Sequence, residues 1–506
     1  MIDRRPTLLG VDLGTSSVKA LATTFDGKPV ALTSGAYPLS TPRPGYVEQD
    51  ADVVYRAVMK AVQEAISEVH LRGNEVAAIG FSCAMHGIVP VDEDGEALGP
   101  LITWMDRRSA AISDRWHADG TAGALYARTG APVHPMLPSC KLRWLSEHEP
   151  VLFASAARFV SMKELVVFRW TGEWLIDYGM ASATGLFDVH SKTWSPAALA
   201  QARVAPSKLS RIAPTTKTLD AMRPGVAATL ALVEKPKLVL GSSDGALANL
   251  GVGAVAPGAL ALTLGTSGAA RTVVGAPALD ERGRTFCYAF DDTGFIVGGP
   301  TSSAGAVLNK IFELLASEIA VEDRFALAVS LAEGVEPGSN GLTFLPFLSG
   351  ERAPYWMANL RGSIEGMDLS HTRADIFRAA FEGVVMALAT VYDVLRERVG
   401  PTKSIRLSGG LTHAPLVRQL IADTFDARAV LVDQSEASAF GAAALAGIAL
   451  GAIRDVLAVD ALLETVEVHE PQRASVERYK AVFERYRERV NAILPLYGAT
   501  GSHSRP

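Results

Sequence analysis

One strand-and-turn pattern occurs twice in this chain, once in each half. Residues 8–17 (LLGVDLGTSS) pass from an apolar run into a turn of glycine and hydroxyl side chains, and residues 259–268 (ALALTLGTSG) do the same. Backbone N–H groups and hydroxyls of such a turn can surround phosphate oxygens, because glycine lets the chain turn tightly. Two such loops predict two lobes that hold one polyphosphate. Asp12 precedes the glycine only in the first copy, where its carboxylate could hold a divalent cation.

The length and composition of the chain set its broad class. At 506 residues it is too long for one compact core, so we expect two large domains. Apolar residues make up 48% and charged residues 20% of the sequence, which is typical of a soluble globular enzyme. The net charge is −6 and no run of Lys or Arg stands out, so nucleic acid is not an expected partner.

The cysteines and the apolar runs indicate a cellular compartment. Cys83, Cys140 and Cys287 are far apart and form no C-x-x-C pair, which argues against structural zinc and fits a reducing cytosol. The sequence passes almost directly from Met1 into the first strand, so we expect no signal peptide. The longest uncharged run, residues 437–453, is short and rich in Ala and Gly, which predicts a packed helix. We therefore expect a cytoplasmic protein with no membrane partner.

Strands and helices alternate in both halves of the sequence. Residues 50–70 carry apolar side chains at three- and four-residue spacing, which predicts a helix with one buried stripe. Residues 372–398 predict a long helix that opens with a capping box. The pattern loosens over residues 104–236, which we interpret as a loop-rich insertion on the first lobe.

The alternation predicts two α/β lobes with a cleft between them. We expect an N-terminal lobe over residues 1–255, a C-terminal lobe over residues 256–455, and a C-terminal helix with a flexible tail over residues 456–506. A P-loop is disfavoured because the motif G-x-x-x-x-G-K-[ST] does not occur. Residues 251–256 match a relaxed dinucleotide fingerprint, but Pro257 follows where that fingerprint requires a continuing helix.

Five motifs occur in a fixed order: residues 12–17 (DLGTSS), 243–245 (SDG), 264–268 (LGTSG), 350–354 (GERAP) and 408–410 (SGG). In combination they resemble the motifs of the FGGY carbohydrate kinases, a family of the actin/hexokinase/Hsp70 superfamily. The resemblance extends over most of the chain. It implies two actin/hexokinase-like (ribonuclease H-like) lobes with a cleft, and phosphoryl transfer from ATP with Mg²⁺.

Further segments bear on the substrate. They resemble the gluconokinases of the family, and several of them differ in its xylulokinases: residues 82–87, 102–109, 129–136, 177–185 and 284–289. The resemblance therefore implies that a sugar acid is phosphorylated, D-gluconate to 6-phospho-D-gluconate. The alternatives are a xylulokinase-like kinase for a pentulose or polyol, a catalytically inactive sugar sensor, and an actin-like filament or chaperone ATPase.

Asp244 ends an apolar strand and is followed by a glycine. Phosphoryl transfer to an alcohol is mostly positioning and charge stabilisation, with a carboxylate that accepts the hydroxyl proton. Asp244 matches the catalytic aspartate of the family, although an Asp-Gly pair alone would be interpreted as a turn. Asp12 matches the aspartate that lies near Mg²⁺ and contacts it through water, and Asp244 is expected at the same metal.

The resemblance also implies which residues contact ATP. These are Thr15, Ser16, Gly265, Thr266, Gly305, Asn309, Gly409 and Gly410. Glycines at these positions would let the nucleotide approach the backbone closely. Ala414 stands where family members often carry Ser or Asn, so a polar contact with the nucleotide is not expected there.

The sugar is expected against Met85, His86, Trp104 and Asp106, with Asp244 at the reacting hydroxyl. The carboxylate of gluconate requires a cation, and the sequence leaves the choice open among Arg107, Lys141, Lys163 and His134. Glu351 and Arg352 are expected to form an ion pair in the cleft wall without a catalytic role. The expected partners are thus a sugar acid and ATP, and a homodimer is considered as the assembly.

Overall fold

A computed structural model of the protein describes residues 5–219, 221–232 and 234–498. The predicted flexible end, residues 501–506, and the start at Met1 lie outside the described residues. The described part is built around two large mixed sheets, one from each half of the chain. Short ribbons and helices surround them.

The first half contains both long and short elements. Its strands are β1 (Arg5–Leu13), β2 (Ser17–Thr24), β3 (Pro29–Ala36), β4 (Glu48–Gln49), β5 (Asn74–Cys83), β6 (Val89–Val91), β7 (Leu101–Ile102), β8 (Arg158–Val160), β9 (Leu175–Asp177), β10 (Phe187–Asp188), β11 (Thr193–Trp194), β12 (Arg211–Ala213), β13 (Thr218–Leu219) and β14 (Lys237–Ser243). Its helices are α1 (Ala51–Leu71), α2 (Ala110–Ala118), α3 (Thr121–Thr129), α4 (Pro138–His148), α5 (Pro150–Ser155), α6 (Met162–Thr171), α7 (Tyr178–Ser182), α8 (Pro196–Ala202), α9 (Pro224–Thr229) and α10 (Asp244–Gly251).

The second half has fewer and longer elements. Its strands are β15 (Ala259–Leu264), β16 (Gly268–Val274), β17 (Phe286–Ala289), β18 (Phe295–Thr301), β19 (Thr343–Leu345), β20 (Ser363–Glu365), β21 (Ser404–Ser408), β22 (Arg428–Val432) and β23 (Thr465–His469). Its helices are α11 (Gly305–Leu315), α12 (Arg324–Glu333), α13 (Arg373–Val399), α14 (Pro415–Phe425), α15 (Ala437–Ala449) and α16 (Arg473–Ile493). Short 3₁₀ helices lie at Pro206–Lys208 in the first half and at Ser339–Gly341, Gly410–His413, Val456–Leu462 and Leu494–Tyr497 in the second.

The first sheet has the strand order β13-β14-β5-β1-β2-β3. Its centre is parallel, since β5 pairs in parallel with both β1 and β14. Asp12 of β1 pairs with Ser82 of β5, and Cys83 pairs with Ser243 of β14. Because the carboxyl ends of parallel strands meet at one edge, the register brings Asp12 and the start of α10 to the same place.

The second sheet has the order β17-β18-β16-β15-β21-β22-β23. Strand β15 pairs in parallel with β21, and β21 pairs in parallel with β22. Thr263 of β15 stands opposite Ser408 of β21, directly before the glycines of the second phosphate loop and of the 408–410 motif. The repeated pattern of the sequence is therefore repeated in the structure as two strand-end loops.

Helix α15 belongs to the second half of the chain but packs on the first sheet. A Cβ on Gly10 of β1 would lie 1.8 Å from Ala439 O, and one on Gly80 of β5 would lie 2.2 Å from Ala442 O. Glycine at both positions lets the helix approach the strands closely. The predicted packed helix is confirmed, and the helices of the described chain include none with the length and apolarity that a bilayer span needs.

Several predicted elements are confirmed with their caps. Helix α1 follows Asp50, whose carboxylate accepts hydrogen bonds from the backbone N–H groups of Asp52 and Val53. Helix α13 opens with the predicted capping box of Thr372 and Asp375. The three cysteines are buried free thiols. The division into three domains stays a prediction.

The loop-rich interpretation of residues 104–236 is wrong, because the segment contains the helices α2 to α9. Helix α6 shows the reason: all its residues except Arg169 and Thr171 are buried. A helix that is buried on nearly every side has no polar face, so the apolar period that identifies α1 is lost.

Candidate active site

Two carboxylates meet at the carboxyl edge of the first sheet. Asp12 lies next to last in β1, and its Oδ1 accepts a hydrogen bond from Ser82 Oγ at 2.6 Å. Asp244 is the first residue of α10, and its Oδ1 accepts one from the Gly245 N–H at 2.7 Å. The N-cap of this helix is Ser243, whose Oγ accepts from the Ala246 N–H. The turn from β14 into α10 therefore fixes the position of Asp244.

The electrostatics of this pair depend on burial and on neighbouring charges. Burial raises the pKa of Asp12 to about 7, and the negative charge of Asp244 adds to the shift. Burial also raises the pKa of Asp244, while the Arg271 guanidinium lowers it in part. Two neighbouring buried carboxylates, one of which disfavours the ionisation of the other, suit a hard cation, which prefers oxygen ligands. Within the described ranges no group of three or more His, Cys, Asp or Glu side chains is placed to hold a metal, so the protein would supply at most these two.

The first phosphate loop is held from several sides. The Gly14 N–H donates to Ser17 O at 3.0 Å, and Tyr37 Oη donates to Gly14 O at 2.6 Å. Trp104 Nε1 donates to the Thr15 hydroxyl at 2.9 Å, whereas the side chain of Ser16 is exposed. Trp104 thus connects the predicted sugar wall to the predicted phosphate loop, which the sequence did not indicate.

The second phosphate loop caps a helix. The N–H groups of Gly305 and Ala306, at the start of α11, donate to Gly265 O at 2.9 Å and to Thr266 O at 3.0 Å. A Cβ on Gly305 would lie 2.6 Å from Gly265 O, so only glycine fits without a shift. Asn309 lies in the first turns of the same helix with its side chain exposed.

The 408–410 motif lies directly against this loop. Gly409 has a φ of 95°, and a Cβ there would lie 2.5 Å from the carbonyl of Leu264. Gly410 faces open space, with nothing within 4 Å of a Cβ position. Ala414 is buried at the start of α14, so it presents no polar group at that point.

The predicted sugar wall begins beside Asp244. The Met85 methyl lies 3.2 Å from the position of a Cβ on Gly245. His86 has a φ of 67°, a backbone conformation that is uncommon outside glycine, and its Nδ1 bonds to Ala183 O at 2.7 Å. Burial lowers the pKa of His86 to about 3, so the ring is neutral with its proton on Nδ1. Its Nε2 is then an acceptor for a sugar hydroxyl.

Asp106 is not brought to the surface of the cleft. It is fully buried, and its carboxylate accepts hydrogen bonds from the Val47 N–H at 2.8 Å and from Arg108 Nε at 2.9 Å. Arg108 also pairs with Glu48, and its guanidinium lies over the ring of Tyr46. In this structure Asp106 therefore orders the loop behind Trp104, and its sugar contact stays a prediction.

The four candidate cations for a carboxylate differ in their surroundings. Lys141 is fully buried and donates to His86 O and Thr103 O, both at 2.7 Å. Burial lowers its pKa to about 7. Lys163 is also fully buried, 2.5 Å from Asp177 Oδ2. Both ammonium groups are thus already bonded to other groups of the first lobe.

His134 and Arg107 differ from the two lysines. Burial lowers the pKa of His134 to about 3, and its Nδ1 accepts from the Met136 N–H, so the ring is neutral. The side chain of Arg107 is exposed, and its positive charge contributes to the low pKa of His134. Of the four, only Arg107 keeps both its charge and its access to solvent.

The expected ion pair between Glu351 and Arg352 is wrong. The Glu351 carboxylate instead accepts hydrogen bonds from Thr301 Oγ1 at 2.7 Å and Ser303 Oγ at 2.6 Å. It also accepts from the backbone N–H groups of Ser302 and Arg352. Hydroxyls and amides thus satisfy this carboxylate, and the Arg352 guanidinium bonds to Thr301 O instead, although the negative charge of Glu351 still raises the pKa of Arg352.

Two arginines lie at the site, of which the sequence predicted only Arg352 in the cleft wall and did not indicate Arg271. The Arg352 guanidinium lies over Trp104, 5.2 Å from the ring centre, and Nη2 donates to Thr301 O at 2.8 Å. Arg271 of β16 lies beside Gly245, with Nε 3.2 Å from a Cβ position there. One signal for Arg271 was present, since it is the single charge in the strand GAARTVV directly after a phosphate loop.

The sequence matches known families along most of its length. Residues 7–251 match the N-terminal domain of the FGGY family of carbohydrate kinases, and residues 260–450 match its C-terminal domain. The chain belongs to the FGGY family of carbohydrate kinases, so it is a phosphotransferase of the class that uses ATP. The predicted two-lobed actin/hexokinase-like α/β fold is confirmed.

Individual relatives and solved structures are also similar to this chain. The chain is 36% identical over 482 residues to the gluconokinase of Bacillus subtilis (strain 168), covering 94% of both sequences. Two solved structures from Lactobacillus acidophilus, of a gluconate kinase and of a ligand-bound xylulose kinase, are each similar to this chain with a TM-score of 0.93 and 32% identity. Each covers 97% of this chain and 99% of its own.

Proposed function

We propose that this protein transfers the γ-phosphoryl group of ATP to the terminal hydroxyl of a sugar acid, D-gluconate, to give 6-phospho-D-gluconate. The observation that carries the proposal is the position of Asp244. It stands at a fixed strand-to-helix turn, with Asp12 along the sheet edge and Met85 beside it. The similarity to a gluconokinase over nearly the whole chain supports the choice of substrate.

In this proposal Asp244 accepts the proton of the sugar hydroxyl. The hydroxyl oxygen then forms a bond to the γ-phosphorus, the bond to the β–γ bridging oxygen breaks, and ADP leaves with that electron pair. Arg271 helps to keep Asp244 ionised, because its positive charge opposes the effect of burial. Met85, His86 and Trp104 would form the wall that orients the sugar, with Nε2 of His86 as an acceptor.

The nucleotide would lie between the two phosphate loops. The hydroxyls of Thr15, Ser16 and Thr266 would contact its phosphates, and Gly409 and Gly410 would border the adenosine. Gly265, Gly305 and Asn309 complete this proposed site. Bound Mg²⁺ would neutralise part of the phosphate charge, and Asp12 and Asp244 are the carboxylates suited to hold it.

A second candidate is a kinase for a pentulose such as D-xylulose, because the structure of a xylulose kinase is as similar to this chain as that of a gluconate kinase. A cytoplasmic location agrees with the use of ATP and with three buried free thiols. The homodimer stays a prediction that light scattering on the purified protein would test.

The experiment that tests the proposal identifies the product. The protein is incubated with ATP, Mg²⁺ and D-gluconate, ADP release is followed, and the product is analysed by phosphorus NMR. We expect a phosphate ester coupled to the two protons of the terminal carbon. Release of ADP no faster than without sugar, or a phosphate on another carbon, would contradict the proposal.

A further inference from the structure

Two guanidinium groups of the second lobe lie at the cleft without a carboxylate partner. Arg271 Nη1 donates to Thr263 Oγ1 at 3.3 Å, and Arg352 Nη2 donates to Thr301 O at 2.8 Å. The Arg352 Nε is buried and has no hydrogen-bond partner among the described residues. Over the same residues, neither guanidinium has a carboxylate oxygen within 4.0 Å. Buried guanidinium donors are normally satisfied, so the Arg352 guanidinium is suited to receive an anion.

The two arginines border the predicted sugar wall from opposite ends. Arg271 lies next to Gly245 and Met85, at the end where Asp244 stands. Arg352 lies over Trp104, on the side of the two histidines, His86 and His134. An open-chain sugar acid carries its terminal hydroxyl and its carboxylate at opposite ends. A molecule with that hydroxyl at Asp244 would therefore extend along the wall toward Arg352.

The charges of this region are consistent with an anion site. Burial lowers the pKa of Arg352 to about 10, the negative charge of Glu351 opposes this shift, and the positive charge of Arg271 adds to it. The charge of Arg352 in turn helps to keep His86 and His134 neutral. A carboxylate bound here would relieve the repulsion between the two guanidinium groups, and charge-assisted bonds from arginine are stronger than bonds between neutral groups.

We propose that Arg352 binds the carboxylate of the sugar acid, at the end of the wall away from Asp244 and Arg271. This assignment rests on the proposed function and deepens it. The buried lysines are excluded because their ammonium groups are already bonded, and His134 is excluded because it is neutral. Arg107 is charged but exposed, so a carboxylate bound to it would stay in water, where pairing contributes little.

The test compares D-gluconate with D-gluconamide, its neutral counterpart with the same terminal hydroxyl. The kcat/KM of both substrates is measured for the parent protein and for Arg271→Met and Arg352→Met. We expect the parent to prefer gluconate by about 100-fold or more, since a site built for a charged group rejects an analogue that leaves it unpaired. Arg352→Met should lower this preference at least about 10-fold through the KM of gluconate, while activity with gluconamide shows that the variant is folded. Arg271→Met removes the charge beside Asp244 and should lower the activity with both substrates alike.

Three further measurements distinguish carboxylate binding from other effects of the substitutions. Arg454→Gln removes an exposed positive charge, 78% accessible and far from the site in sequence, and should leave both substrates unchanged. Arg352→Lys keeps the charge but loses the two parallel donors of the guanidinium group, so it should restore part of the preference. The pH dependence of kcat/KM distinguishes carboxylate binding from an effect on Asp244. An effect on Asp244 would shift the acidic limb of the pH profile for both substrates alike.

Several results would overturn the assignment. These are an unchanged preference in Arg352→Met, an equal loss with gluconate and gluconamide in that variant, and a collapse of the preference in Arg107→Gln or Arg271→Met. A parent protein that uses gluconate without preference over gluconamide would also overturn it, but it would leave the proposed function intact. No phosphorylation of gluconate by the parent would instead refute the proposed function itself.

Discussion

Asp12 and Asp244 carry the same charge but lie in different surroundings. Burial raises the pKa of both carboxyl groups. The positive charge of Arg271 lowers the pKa of Asp244 in part, whereas the negative charge of Asp244 raises the pKa of Asp12 further. A base must be ionised to accept a proton, so the residue beside the arginine suits that role. Asp12 is the group whose ionisation a bound cation would favour.

At the residue scale, Asp244→Asn should abolish most of the phosphoryl transfer. General-base catalysis contributes about 10²–10⁴-fold, and asparagine keeps the size of the side chain but cannot accept the proton. Calorimetry should show that ATP still binds. Asp94→Asn, on an exposed turn, is the matched control. Turnover of Asp244→Asn within a few-fold of the parent would show that another group is the base.

Asp12→Asn should stabilise the protein in the absence of ligands while it impairs activity. The folded-state pKa of Asp12, about 7, lies above its ordinary value of 3.8, so the folded state binds the proton more tightly than the unfolded state. The parent protein therefore loses stability as pH rises from about 4 to about 7. The gain in Tm of Asp12→Asn should grow over that range and level off above it. A gain that is constant from pH 4 to 8 would contradict the assigned shift.

At the scale of elements, the sequence predicted correctly the features that local residue patterns alone determine. The stripe of α1, the caps of α1 and α13 and the two strand-end loops follow from local periodicity and turn chemistry. The prediction failed where contacts between residues distant in sequence determine the position of a side chain. Trp104 bonds to Thr15 and lies under Arg352, and Asp106 accepts a hydrogen bond from the Val47 N–H, which no spacing in the sequence indicates.

The docking of α15 on the first sheet gives a prediction for one element. In Gly80→Ala the new methyl would lie 2.2 Å from Ala442 O, so the helix must shift, and overpacking of this kind costs about 1–3 kcal/mol or more. Gly123→Ala is the control, since α3 leaves open space there and alanine favours a helix by up to about 1 kcal/mol. Urea unfolding should show a large loss only for Gly80→Ala. Equal stability of both variants would contradict the close packing.

At the scale of the whole molecule, the two halves of the chain pack closely through α15 and are also joined by polar contacts near the site. Lys19 of β2 pairs with Glu436, directly before α15, at 2.6 Å, and Ser438 Oγ donates to Asp244 O at 3.1 Å. Since the two phosphate loops belong to different sheets, ATP and sugar together should draw the lobes closer. Small-angle scattering should show a smaller radius of gyration with both ligands than with neither. An unchanged radius would count against closure.

The central claim is that the site selects a sugar acid, and a comparison of kcat/KM values at saturating ATP tests it most directly. The substrates are D-gluconate, D-xylulose, glycerol and L-ribulose, each followed by ADP release. We predict that D-gluconate exceeds the three neutral compounds by about 100-fold or more, because only its carboxylate pairs with a buried cation of the cleft. A higher kcat/KM for D-xylulose than for D-gluconate would contradict the account.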